Sequence, residues 1–141
     1  QAFGRRFILE SSSLQAWRHL HAAEVVMGFV SQDVFVDFRS WVLLQGHEVA
    51  QAFHDDPDSL APVGPSDDEQ IGMAEEFEAI ATGSVPDEVD VLYGPMAGAR
   101  PSDSYAELAA RYPRLAAAYL PTPLPAGSPW DSGPRPIARR G

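Results

Sequence analysis

Cysteine, lysine and asparagine are all absent from the 141-residue sequence. The lack of cysteine excludes disulfide bonds, thiolate metal ligands and a cysteine nucleophile, and it favours a reducing, cytoplasmic environment. Without lysine the chain has no P-loop lysine and no Schiff base, and without asparagine it has no N-linked glycosylation site. We therefore expect no cofactor.

Long apolar runs are also missing. The densest run, Val25 to Val30, is far shorter than the roughly 18 residues that a transmembrane helix needs. The apolar piece after the N-terminal arginines, Phe7 to Leu9, is shorter than the core of a signal peptide. The sequence thus predicts neither a membrane span nor a membrane partner, although Gln1 in place of Met is what a trimmed fragment would show.

Positive charge is unevenly distributed along the chain. All ten basic residues are arginine, and none lies in residues 40–99, which hold 13 Asp and Glu. The net charge of the whole chain is −10. Because a nucleic-acid-binding protein needs a basic surface to face phosphates, this distribution argues against binding of DNA or RNA. It favours a basic partner protein instead.

The composition and the spacing of apolar residues predict a mainly α fold, a single-domain helical bundle of four to five helices with irregular loops. Hydrophobic residues make up 45% of the chain and charged residues 21%, as in ordinary globular domains. We expect the helical domain to occupy residues 1–120. A Pro-rich tail over 121–141 should dock onto residues 66–90 through Trp130 and the tail arginines.

Capping residues and apolar periodicity predict the individual elements. Ser11 to Ser13 are candidate N-caps for a helix over 13–29, and Ser31 for a helix over 31–46. These two helices should pack together and bury Trp17, Phe35, Phe38 and Trp41. A third helix is predicted over 47–55, and a fourth follows the capping box at 66–69 and ends at Gly83. A short strand is predicted at 89–93. A last helix is predicted over 105–120, with a kink or a break at Pro113.

A series of short motifs resembles a known family. In chain order, the motifs are Ala22-Ala23, Ser31-Gln32-Asp33, Phe35 to Trp41, Gln45-Gly46, Asp56 to Ala61, Met73 to Glu78, Thr82-Gly83 and Tyr112 to Leu115. Through them, about two-thirds of the chain resembles the bacterial family known as domain of unknown function 4240. The resemblance implies a helical bacterial domain and, since the family has no assigned activity, no particular reaction or ligand. The segment before Leu20 is short and atypical of the family, which predicts a truncated first helix, and His21 stands where members carry tryptophan.

The acidic middle of the chain supplies the preferred candidate site. We expect a solvent-exposed, partner-binding surface that contains Asp67, Asp68, Glu75, Glu76 and Glu78. Such a surface indicates a non-enzymatic interaction module, immunity-like or regulatory, that docks a basic partner.

Arg39 stands out because it interrupts an apolar stretch next to Trp41. An arginine in such a place usually lays its stem over the core and pairs with a carboxylate, so we expect Asp37 or another acid of the middle segment as its partner. The alternative is an anion-binding role for Arg39. Trp41 is expected in the core.

The alternative function is that of a small metal-assisted hydrolase with His21, Glu24 and His47 as ligands. Imidazole and carboxylate groups suit zinc or non-haem iron, but the spacing matches no H-E-x-x-H motif, and a site without metal is the preferred interpretation. Paired carboxylates such as Asp33 and Asp37 could act as acid and base only if burial separated their pKa values.

Overall fold

The computed structural model describes residues 2–28, 30–101 and 104–120. These residues fold almost entirely into helices. The α-helices are α1 (Ala2–Ser13), α2 (Trp17–Met27), α3 (Gln32–Leu44), α4 (His47–Asp55), α5 (Asp68–Gly72), α6 (Ala74–Gly83), α7 (Tyr105–Arg111) and α8 (Pro113–Tyr119). Two 3₁₀ segments, Pro57–Val63 and Pro86–Tyr93, lie among them. The predicted mainly α fold is confirmed, whereas the tail over 121–141, with Trp130 and its predicted docking, lies outside the described residues.

The first predicted helix, over 13–29, is wrong in its start, because α1 and α2 are two separate helices. The serines expected at its N-terminus lie in the last turn of α1. There the hydroxyl of Ser12 donates to the carbonyl of Ile8 at 2.8 Å, and that of Ser13 donates to the carbonyl of Glu10 at 2.6 Å. A serine can bond a carbonyl one turn back as readily as it caps a helix start, so residue type alone does not distinguish the two ends. The helices therefore outnumber the four to five expected.

The second and third predicted helices are confirmed as α3 and α4, with bounds that agree within two residues. Ser31 caps α3, since its hydroxyl accepts a hydrogen bond from the backbone nitrogen of Val34 at 3.3 Å. Gly46 separates the two helices with φ at +109°, a conformation that only glycine adopts without strain.

The later elements are shorter than predicted. The helix expected to end at Gly83 divides into α5 and α6 just after Gly72, a weak helix former, and Asp67 caps α5 by accepting a bond from the nitrogen of Gln70 at 3.1 Å. The predicted strand at 89–93 is wrong. Those residues belong to the second 3₁₀ segment, which starts at Pro86 and repeats every three residues. The predicted break at Pro113 is confirmed between α7 and α8.

The main core lies where α2, α3, α4 and α8 meet. Phe38 is fully buried there. The centroid of its ring lies 6.3 Å from that of Trp41 and 6.0 Å from that of Phe53. The predicted burial of Phe35, Phe38 and Trp41 is confirmed. Trp17, expected in the core as well, is only partly buried, and the guanidinium of Arg100 lies 5.1 Å from its ring centroid.

A second, smaller core joins α1 and α6 to α3 and the second 3₁₀ segment. Its buried members are Phe7, Ile8, Val36, Ala81, Val85 and Leu92. The α1 and α6 helices approach closely at Gly4, where an added Cβ would lie 2.5 Å from the carbonyl oxygen of Ala81. Glycine is therefore required at this crossing for the helices to pack.

None of the described helices combines the length and the apolar character that crossing a lipid bilayer requires.

A buried carboxylate ties α8 to the first 3₁₀ segment. Asp58, only 6% exposed, accepts bonds from the backbone nitrogens of Arg114 at 3.1 Å and Leu115 at 2.8 Å, and from the Nε of Arg114 at 3.2 Å. The two backbone nitrogens belong to the first turn of α8, where backbone N–H groups have no hydrogen-bond acceptor within the helix. Asp58 is thus a helix cap supplied from a distant part of the chain.

We predict that Gly4→Ala destabilises the domain by about 1 to 3 kcal/mol, because the new methyl group overpacks the crossing of α1 and α6. Gly83→Ala is the matched control, since a Cβ there meets nothing within 4 Å, and it should change stability by about 0.5 kcal/mol or less. Urea unfolding of both variants checks this. Equal stability of the two variants would contradict a close helix crossing at Gly4.

We also predict that Asp58→Ala costs about 2 to 4 kcal/mol, because it leaves buried backbone N–H groups at the start of α8 without an acceptor. Asp56→Ala should cost less, about 1 to 2 kcal/mol, since the Asp56 side chain is 62% exposed, meets Arg114 at the surface and caps the first 3₁₀ segment through one bond, from the nitrogen of Asp58 at 3.2 Å. Thermal unfolding compares the two variants. A smaller loss for Asp58→Ala than for Asp56→Ala would show that the cap is not needed.

Candidate functional site: an acidic cluster between two helices

Four carboxyl groups meet where α3 packs against α6. Asp33 and Asp37 are four residues apart on α3, and Glu75 and Glu78 are three apart on α6, so each pair shares one face of its helix. The charges of Asp33, Glu75 and Glu78 all act on Asp37. We call these four residues the acidic cluster.

Asp37 is the perturbed member of the acidic cluster. Partial burial, a hydrogen bond with Glu78 and the negative charges of Glu78, Glu75 and Asp33 together raise the pKa of Asp37 from 3.8 to about 8. Burial makes the largest contribution because it disfavours the charged form of a carboxyl group. At neutral pH, Asp37 therefore holds a proton and donates it in the hydrogen bond to Glu78.

Glu78 is turned towards α3, contrary to the prediction of an exposed partner-binding residue. Its side chain is only half-buried, but its carboxylate accepts a bond from the hydroxyl of Ser40 at 3.2 Å in addition to the bond with Asp37. Sequence spacing could not reveal this contact, because it depends on which face α6 presents to α3.

Arg39 lies behind the acidic cluster and is completely buried. Its Nη2 donates to the backbone carbonyl of Leu92 at 2.7 Å, and its guanidinium carbon lies 4.7 Å from the ring centroid of Phe35. The Nε and Nη1 atoms have no hydrogen-bond partner among the described residues. The expected ion pair between Arg39 and Asp37 is not found among the described residues. Glu78 acts on Arg39 electrostatically instead.

Burial also changes the acidity of Arg39. It lowers the pKa of the guanidinium to about 10, an effect that the charges of Glu78 and Tyr93 partly oppose. Neighbouring Trp41 is buried in the main core, so it has the structural role that the sequence predicts.

The remaining predicted partner-binding residues face solvent. Asp67, Glu75 and Glu76 are exposed, while the side chain of Asp68 lies outside the described part of the structure. Together with the acidic cluster, Asp67 and Glu76 form what we call the acidic face, carried by α3, α6 and the residue that caps α5.

The structure does not bring together the three proposed metal ligands. His21 is buried on α2, with its Nε2 3.9 Å from a carboxylate oxygen of Glu24 and its Nδ1 3.4 Å from Arg111, whereas His47 is exposed at the start of α4. In residues 2–28, 30–101 and 104–120, no three His, Cys, Asp or Glu side chains are placed to hold a metal ion.

A second buried histidine lies on α2. His19 is completely buried, with its Nε2 3.1 Å from the backbone carbonyl of His54 and its ring 5.3 Å from that of Phe53. Burial lowers the pKa of His19 to about 4, and the positive charges of Arg18 and Arg39 act in the same direction. The ring is therefore neutral and serves as part of the core.

A surface groove between α1, α3 and α4 also has no counterpart in the sequence predictions. It has a volume of about 210 Å³, a floor formed by Leu14, Leu43 and Ala50, and a rim that includes Glu10, His47 and His54. Because α1 was not predicted from the sequence, neither was a groove that depends on it.

The acidity of Asp37 predicts how stability depends on pH. The folded state binds the Asp37 proton more tightly than the unfolded chain does, so its contribution to stability is lost as pH rises from about 4 to about 8. Asp37→Asn keeps a hydrogen-bond donor near Glu78 without this titration. We expect its free energy of unfolding to fall less than that of the parent across this range in urea titrations.

Asp33→Asn is the control for this experiment, because it removes a neighbouring exposed charge but leaves the Asp37 proton in place. It should retain most of the dependence on pH. If Asp37→Asn and the parent lost stability in parallel from pH 5 to pH 8, Asp37 would not be the titrating group.

Comparison with known proteins gives the family of this chain. The sequence pattern of the family described as protein of unknown function DUF4240 matches residues 1–84. This range includes the segment before Leu20, expected to be atypical, and ends before Tyr112 to Leu115. No curated protein and no solved structure shows significant similarity. Since the match covers more than half of the 141 residues, the chain belongs to the DUF4240 family, for which no function is assigned.

Proposed function

We propose that this domain is a non-enzymatic interaction module, immunity-like or regulatory, whose acidic face docks a basic partner protein. The observation that carries the proposal is the density of negative charge at the acidic cluster. There a half-buried carboxyl group retains its proton at neutral pH because of its burial and of the three other carboxyl groups around it. A surface of this kind attracts a cationic group and steers its approach.

The surroundings of the acidic face support a protein partner over a small cation. Two large apolar side chains of the same region are exposed, Met73 by 73% and Ile80 by 65%. Protein interfaces combine apolar contacts with charged groups, and methionine is common in them. A partner that presents arginine next to apolar residues fits both features, because a planar guanidinium can bind a carboxylate through two parallel hydrogen bonds.

Binding of a synthetic arginine-rich peptide tests this proposal. Calorimetry with the full chain should detect binding that weakens as the salt concentration rises past about 0.15 M, where the screening length is near 8 Å. The double variant Glu75→Gln/Glu76→Gln removes two exposed charges of the acidic face, and we expect it to weaken binding by up to about tenfold.

The control removes the same number of charges elsewhere. Glu48→Gln/Asp55→Asn alters two exposed acids of α4 and therefore lowers the overall charge equally. It should leave the affinity within about twofold of the parent if docking occurs at the acidic face. Equal losses in the two double variants would mean that the peptide responds only to net charge, and the proposed docking site would be wrong.

A further inference from the structure

An aromatic groove lies where the start of α2, the start of α3 and residues 94–96 meet. It is open to solvent and has a volume of about 410 Å³. Apolar side chains form most of its lining, among them Trp17, Leu20, Val30, Phe35, Pro95 and Met96. No charged side chain occurs among its described lining residues. In a chain of net charge −10, such a groove favours an uncharged, apolar occupant.

The walls of the aromatic groove are held together by hydrogen bonds between distant parts of the chain. The side chain of Gln15 donates to the backbone carbonyl of Gly94 at 2.6 Å. The side chain of Gln32 donates to the backbone carbonyl of Tyr93 at 2.8 Å. The backbone nitrogen of Ala97 donates to the carbonyl of Gln15 at 2.9 Å. The groove is therefore formed in advance, and binding does not require its walls to become ordered.

Trp17 supplies the aromatic groove with both an apolar ring and a hydrogen-bond donor. The residue is only partly buried, and its indole N–H makes no hydrogen bond within the described residues. A polyproline II segment has no internal hydrogen bonds, so its backbone carbonyls are available as acceptors. Proline-rich segments accordingly bind to grooves lined by aromatic residues. The chemistry of this groove matches that of an extended proline-rich segment.

The chain carries a segment of this kind directly after α8. Residues 121–130 contain four prolines, no charged residue and, at their end, Trp130. The starting point of the segment is fixed, because Leu120 is buried and its backbone nitrogen donates to the carbonyl of Ala116 at 2.9 Å. Ten residues of polyproline II extend about 31 Å, more than twice the radius of gyration of roughly 13 Å that a 100-residue domain has. The segment is therefore long enough to reach the groove.

We propose that residues 121–130 bind in the aromatic groove as an extended proline-rich segment, and that one of their carbonyls accepts the indole N–H of Trp17. The inference does not depend on the proposed docking function. It replaces residues 66–90 as the docking site of the tail, because that stretch is acidic whereas the tail arginines begin only at Arg135. Attachment to the same chain favours this segment over that of a second copy, since a short linker gives an effective concentration on the order of millimolar.

A spin label on the tail tests this docking by NMR spectroscopy of the full chain. Because the chain lacks cysteine, Ser132→Cys provides a single attachment site just beyond the segment. The amide signals of Leu20, Gln32 and Met96 should lose most of their intensity through paramagnetic broadening. Those of residues 47–49, beyond the opposite end of α3, should be retained. Broadening confined to residues 66–90, or absent from all described residues, would overturn the proposal.

A mixed sample distinguishes the chain's own tail from that of a second copy. Spin-labelled chain without isotope enrichment is combined with ¹⁵N-labelled parent chain, so that only contacts between molecules cause broadening. The signals of Leu20, Gln32 and Met96 should keep their intensity in this sample. If they were broadened as strongly as in the first sample, the occupant would be a second copy and the proposal would be wrong.

Variants on both sides of the contact complete the test. Pro123→Ala/Pro125→Ala weakens the polyproline II preference of the tail and leaves the groove unchanged, so it should reduce the broadening and shift the indole N–H resonance of Trp17. Met96→Ala removes a groove side chain and should also reduce the broadening. Leu9→Ala, a change at a residue of α1 that is 69% exposed, is the control and should behave like the parent. Unchanged broadening in both the tail variant and Met96→Ala would contradict docking in the groove.

Discussion

The buried carboxylate of Asp58 is the constraint on which closure of the main core depends. It fixes the first turn of α8 by two backbone hydrogen bonds and one to the Arg114 side chain. Leu115 and Tyr119, one turn apart on α8, thereby reach the core as fully buried side chains. The hydroxyl of Tyr119 in turn donates to the carbonyl of Pro65 at 2.6 Å, so the same helix also holds the loop that leads to α5.

The elements around the smaller core are positioned by ionisable side chains of α3 and not by a helix cap. Within three positions of α3, Asp37 lies among three other carboxyl groups, while Arg39 is buried against a backbone carbonyl and an aromatic ring. Such groups are costly to bury, and each has a polar neighbour on another element, Glu78 for Asp37 and the backbone carbonyl of Leu92 for Arg39. The position of α6 and of the second 3₁₀ segment is therefore specified by polar contacts as well as by apolar packing.

Elements with local signals could be predicted from the sequence, and those with tertiary causes could not. Ser31 and Gly46 are short-range signals, and the bounds of α3 and α4 lie within two residues of those predicted. The serines of α1 were misread because their partners are carbonyls of the preceding turn. The candidate site shows the same division. The excess of acids was visible in the sequence, but the inward turn of Glu78 and the carbonyl partner of Arg39 arise from long-range packing.

Buried His19 and Asp37 make opposite contributions to the pH dependence of the free energy of unfolding. The neutral ring of His19 stabilises the fold above pH 6.5, and this contribution is lost as pH falls towards 4, whereas that of Asp37 is lost as pH rises from about 4 to about 8. Between pH 4 and 6.5 the two slopes have opposite signs and partly cancel. The combined contribution of these two groups to the free energy of unfolding therefore changes little in mild acid, close to the isoelectric point of about 4.6, where self-repulsion of the chain is also smallest.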